Sequence, residues 1–68
     1  MDGRTIEVVV YKEGRAWVAT ALNVGVSSCG ETRDEALESI REALELYFDD
    51  EDADVEEVAD IRIERVVV

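Results

Sequence analysis

Between Ser27 and Asp50 the chain spells out a capped amphipathic helix, and no other segment limits the possible fold as much. Thr32 and Glu35 stand in the Thr-x-x-Glu spacing. There the threonine hydroxyl accepts from the Glu35 backbone N–H and the Glu35 carboxylate reaches back to Thr32, which predicts a helix starting at Arg33. Ala36, Leu37, Ile40, Ala43, Leu44 and Tyr47 then recur at helical spacing on one face, with Glu38, Arg41, Glu42 and Glu45 on the other. Glu38 and Glu42 repel each other, but Arg41 sits three residues from Glu38 and four from Glu45, where each pairing offsets about 0.2–0.5 kcal/mol. A helix with one apolar stripe has to lie on something flat and apolar.

The residues before it supply that surface. Ile6 to Tyr11 is a β-rich run, with Ile6, Val8 and Val10 on one face and Val9 and Tyr11 on the other. A turn at Lys12-Glu13-Gly14-Arg15 leads into a second strand, where Ala16, Val18, Thr20 and Leu22 alternate with Trp17, Ala19 and Ala21. Asn23-Val24-Gly25 is a turn signal, and Val26 to Cys29 suffices for a short third strand. After the helix, Asp49 to Asp60 holds eight carboxylates and no base, a pattern expected of a solvated connection. Ile61 to Val68 resumes a β-type alternation, interrupted at Arg65, and predicts a fourth strand with a bulge there.

The expected fold class is therefore α+β with the order β-β-β-α-β: an antiparallel three-stranded meander, one helix on one sheet face, and a fourth strand. A right-handed crossover puts that strand on the free side of the first, in the order 3-2-1-4. One helix covers one face, so a second copy or a partner is expected on the other, as a dimer or tetramer. The 68 residues form one domain. A chain of roughly 60 residues buries only about 60% of its unfolded surface, so self-association would help it.

Composition removes most site chemistries. With no His and only Cys29, the chain cannot assemble a Cys/His zinc site, a Ser-His-Asp triad or an internal disulfide. Cys29 precedes a helix start, which can activate a thiol, but with no His partner it reads as a small strand or turn residue. There is no apolar run long enough for a membrane span and no signal-like start, so a cytoplasmic location is expected. Eighteen acidic against seven basic residues, a formal charge of −11, oppose nucleic-acid binding and point to a basic protein partner.

The remaining motifs are weak. Asp50, Asp52 and Asp54 open like a calcium loop, but Val55 and Ile61 occupy the positions that need Gly and Glu. Glu7 with Glu38 or Glu42 would be the carboxylates of a metal-dependent nuclease only if the fold brought them together. Gly14, Gly25 and Gly30 lack phosphate-loop spacing. Trp17, Tyr47 and Phe48 would make a base-stacking platform only with positive charge that the chain lacks. Trp17 reads better as a core or interface anchor. No catalytic residue, cofactor or metal is expected.

Ser28-Cys29-Gly30-Glu31-Thr32, followed by Glu35-Ala36-Leu37, Ile40, Glu42-Ala43-Leu44 and Tyr47, resembles the HicB family of antitoxins over residues 6 to 50. That family shows a Ser-x-Gly-x-Thr turn, then Glu-Ala-Leu-x-Asn-Ile and a Glu-Ala-Ile-x-x-Tyr ending. The resemblance implies a partial, non-catalytic RNase H-like domain that binds and blocks HicA, a small basic mRNA-cleaving toxin. Two features depart from the family pattern. Ala21-Leu22-Asn23-Val24-Gly25-Val26 keeps only the Gly of the family's Pro-x-Leu-Pro-Gly-Cys stretch, and no DNA-binding domain follows before Val68. The chain is accordingly expected not to repress transcription by itself. The implied function is a non-enzymatic antitoxin domain, with Val9, Tyr11, Trp17, Glu38 and Glu42 as the candidate partner or self-association interface. The alternative is a stand-alone oligomeric regulatory or scaffold module of the same fold without a toxin.

Overall fold

The computed structural model describes residues 5–49 and 55–68. Three strands, β1 (Val8–Glu13), β2 (Ala16–Ala21) and β3 (Val26–Gly30), precede one helix, α1 (Arg33–Tyr47). The sheet is an antiparallel meander in the order β1-β2-β3. The β1–β2 connection is the two-residue loop Gly14-Arg15, closed between the paired Glu13 and Ala16. Gly14 has φ 62 while Arg15 keeps a negative φ, the pattern of a turn whose first central position demands glycine. At the other end Gly25, with φ 71, closes the β2–β3 loop by donating its N–H to the Ala21 carbonyl at 2.9 Å.

The register sorts the side chains by face. Val8 opposes Ala21, Val10 opposes Ala19 and Lys12 opposes Trp17, so these residues share a side with Val26. α1 lies on that side: Ala19, Ala21, Ala36 and Ile40 are the buried core, bordered by half-buried Ile6, Val10, Trp17 and Leu44. Three of those four core residues are alanines, which lets the helix backbone approach the sheet closely, and among the described residues Ile40 is the one larger hydrophobic side chain that is buried. Such a thin core leaves the domain dependent on its hydrogen bonds and on whatever covers its borders.

The helix start follows its sequence with one difference. Thr32 is the N-cap, its hydroxyl accepting from the Glu35 N–H at 3.1 Å, but the Glu35 carboxylate accepts from the N–H of Glu31 at 2.9 Å rather than from Thr32. The loop before the cap folds over far enough to put the Glu31 amide within reach. Gly30 makes the turn possible: a Cβ there would sit 2.7 Å from both the Ala36 nitrogen and the Glu35 Cβ. Its role is close approach between the end of β3 and the first helical turn.

The fourth strand expected over Ile61–Val68 is not formed. Among the described residues the sheet stops at three strands, and the expected order 3-2-1-4 reduces to β1-β2-β3. Alternation records how side chains are spaced, whereas a strand also needs a neighbouring backbone, and no hydrogen bond joins 57–68 to the described body. Nor is the acidic connection wholly solvated. Glu56 is tied to Asn23 by two hydrogen bonds and Val58 is half-buried. Asp50, Asp52 and Asp54 lie outside the described residues.

Candidate functional site

The sheet face away from α1 carries Val9, Tyr11, Val18, Thr20 and Cys29, by the pairings Val9 to Thr20, Tyr11 to Val18 and Val18 to Cys29. Tyr11 is 45% exposed, and Val9 and Val18 are half-buried. Thr20 and Ser27 share a hydrogen bond between their hydroxyls at 2.9 Å. The open face is thus apolar along β1 and β2 and polar towards β3.

Trp17 is separate from this surface. It lies on the helix-covered side, half-buried and packed against the core. Glu38 and Glu42 are exposed on α1, remote from both Val9 and Tyr11 because the sheet lies between. Arg41 approaches Glu38 at 4.0 Å and Glu45 at 3.9 Å, as their spacing predicts, and all three are well exposed. Such pairs contribute at most about 1 kcal/mol. Glu42 has no ion pair among the described residues. The five candidate interface residues therefore fall on three surfaces: the open sheet face, the core side and the outer helix face.

The same geometry separates the carboxylates considered for nuclease chemistry. The Glu7 carbonyl accepts from the Leu22 N–H at 2.9 Å, which extends the β1–β2 ladder and sets Glu7 on the Val9–Tyr11 side. Glu38 and Glu42 ride on the helix across the sheet, and the structure does not bring them to Glu7. No group of three or more Cys, Asp or Glu side chains among the described residues is placed to hold a metal ion. Cys29 is exposed on the open face, opposite Val18. It lines a shallow recess with Glu13, Arg15, Glu31 and Glu35 at the hairpin end of the sheet.

A second groove opens between the start of β1 and the helix. Ile6 and Val8 form one wall, Leu37, Ile40, Leu44 and Phe48 of the helix side form the other with Arg41 and Glu45 at the rim, and the open groove measures about 760 Å³. α1 leans over β3 and β2 more than over β1, which leaves this strip of the sheet uncovered. Phe48 is steadied there by an edge-to-face contact with Tyr47, ring centroids 5.2 Å apart.

Asn23 is the residue that sequence reasoning undervalued. It is 5% exposed, and its Oδ1 accepts from the Glu7 N–H at 2.8 Å while its Nδ2 donates to the Glu56 carbonyl at 2.8 Å. A turn motif conceals such a role. The available signal was that Asn23 is the only Asn in a chain without Gln.

No helix among the described residues is long and apolar enough to cross a membrane. No curated protein and no solved structure matches the chain. A family described as being of unknown function (DUF7387) matches residues 2–66, nearly the whole length. The chain therefore belongs to this family of unknown function, DUF7387.

Proposed function

We propose that this protein is a non-enzymatic, HicB-like antitoxin domain that captures a small basic ribonuclease and occludes its RNA-binding surface. The observation that carries the reading is the distribution of charge. The chain has 18 acidic residues against seven basic ones, yet only three ion pairs join described residues, all of them exposed. Carboxylates such as Glu42 consequently face solvent without a cation, and such a surface steers a basic partner and repels the RNA that competes for it. The apolar strip of Val9, Tyr11 and Val18 supplies area that charge alone does not. On this reading the β-β-β-α unit is a partial, non-catalytic RNase H-like domain, and the protein acts in the cytoplasm.

The exposed apolar segment after residue 60 favours a second reading, a stand-alone oligomeric module. Affinity capture with the tagged chain from its native cell, followed by a translation assay of what it retains, separates the two. Recovery of a small basic ribonuclease that stops translation, and is silenced by the chain, is the expected result. Recovery of only further copies of the chain would overturn the antitoxin reading.

A further inference from the structure

We propose that Ile61–Val68 of one copy adds as an edge strand to β1 of a second copy, reciprocally, so that each chain completes the other's sheet. Three observations meet here, and none depends on the antitoxin reading.

The first is the segment itself. Ile61, Ile63, Val66, Val67 and Val68 are 46%, 88%, 80%, 97% and 115% exposed, and no hydrogen bond or ion pair joins residues 57–68 to the described body. Ile61 and Ile63 alternate with Arg62 and Glu64, as a strand buried on one face requires. The family match runs through residue 66 and so takes in the first six residues of this segment.

The second is the receiving site. Among the described residues β1 pairs only with β2, so its other side presents a row of backbone N–H and C=O groups that no described strand pairs. At the Val8 end of that edge lies the groove walled by Ile6, Val8, Leu37, Ile40 and Leu44, with Arg41 and Glu45 also lining it. A strand added there has its inward side chains under α1 and its backbone on the β1 edge. Eight residues span about 26 Å at ~3.3 Å each, enough to run the length of the six-residue β1.

The third is charge. Ile61–Val68 holds two Arg and one Glu, a side-chain charge of +1, while the remaining sixty residues hold 5 basic and 17 acidic residues, or −12. The segment thus carries a side-chain charge opposite in sign to that of the rest of the chain. Within its own copy the segment stays off the sheet: Glu56 is pinned to Asn23, Asp60 takes φ 57, and no hydrogen bond joins residues 57–68 to the described strands. Reciprocal exchange forms a closed two-fold pair, covering both open β1 edges.

The test is the solution mass of the intact chain from micromolar to millimolar concentration, beside that of Ile63→Asp/Val67→Asp. Both altered residues are solvent-exposed in the single copy, and circular dichroism checks that the fold persists. The expected result is a mass of two 7.6 kDa chains for the intact protein and of one for the variant. A single-copy mass for the intact chain overturns the proposal, as does a pair that survives in the variant, which would place the interface elsewhere. In a Cys29→Ser background, mixing a Val8→Cys chain with an Ile63→Cys chain should give a disulfide-linked heterodimer. Closure of both cysteines within one chain, when they are carried together, would instead show the segment docking on its own sheet.

Discussion

Asn23 and Glu56 hold each other by two hydrogen bonds, the Glu56 N–H donating to the Asn23 carbonyl at 2.9 Å and the Asn23 Nδ2 donating to the Glu56 carbonyl at 2.8 Å. Because Asn23 Oδ1 also accepts from Glu7, one buried carboxamide joins the entry to β1, the β2–β3 loop and the segment after the helix. Asn23→Ala removes both side-chain bonds and leaves the part-buried Glu7 N–H without its acceptor. A loss of about 2–3 kcal/mol is expected from chemical denaturation. A change below about 0.5 kcal/mol would mean that water replaces the carboxamide at no cost.

Gly30 is required by space. A methyl group there meets the backbone nitrogen of Ala36, which cannot rotate aside, so the end of β3 and the first turn of α1 must separate. Gly30→Ala should cost about 1–3 kcal/mol, read as a lowered thermal midpoint. A gain in stability would show that the turn relaxes freely.

The helix cap makes a smaller claim. Thr32→Ala removes the acceptor for the Glu35 N–H and should lower stability by about 1 kcal/mol. Thr32→Ser, which keeps the hydroxyl, should recover most of it. Equal losses in the two variants would assign the effect to the methyl group instead.

Net charge predicts a salt response. At about 0.01 M ionic strength the Debye length is ~30 Å, and the carboxylates repel one another across most of the domain; at 1 M it is ~3 Å. With a formal charge of −11 and three weak exposed ion pairs among the described residues, screening removes more repulsion than attraction. Sodium chloride should therefore raise the unfolding midpoint, by on the order of 1 kcal/mol or about 4–8 °C. A midpoint that falls with salt would contradict this balance.

The meander and helix are legible in the sequence because each rests on local chemistry: two positive-φ glycines at the turns, period-two alternation in β1 and β2, and a cap three residues ahead of its partner glutamate. The sorting of Val9 and Tyr11 away from Ile6, Val8 and Val10 follows from the same alternation. What the sequence hides is long-range. Ile61–Val68 has the spacing of a strand, but spacing does not say whose backbone it pairs with. Asn23 reads as an ordinary turn residue until Glu7 and Glu56 are seen on either side of it. Trp17 could serve as core or interface anchor by composition, and only the register with Lys12 and Gly30 places it under the helix.

The proposed antitoxin role requires that an acidic surface on this chain silence a basic ribonuclease by covering it. The most direct measurement is RNA cleavage by the ribonuclease retained in the capture experiment, titrated with the purified chain and, in parallel, with Glu38→Lys/Glu42→Lys. The account predicts that cleavage falls to background near one chain per ribonuclease, and that the charge-reversed variant requires about tenfold more. Cleavage that continues undiminished in excess chain would contradict the claim.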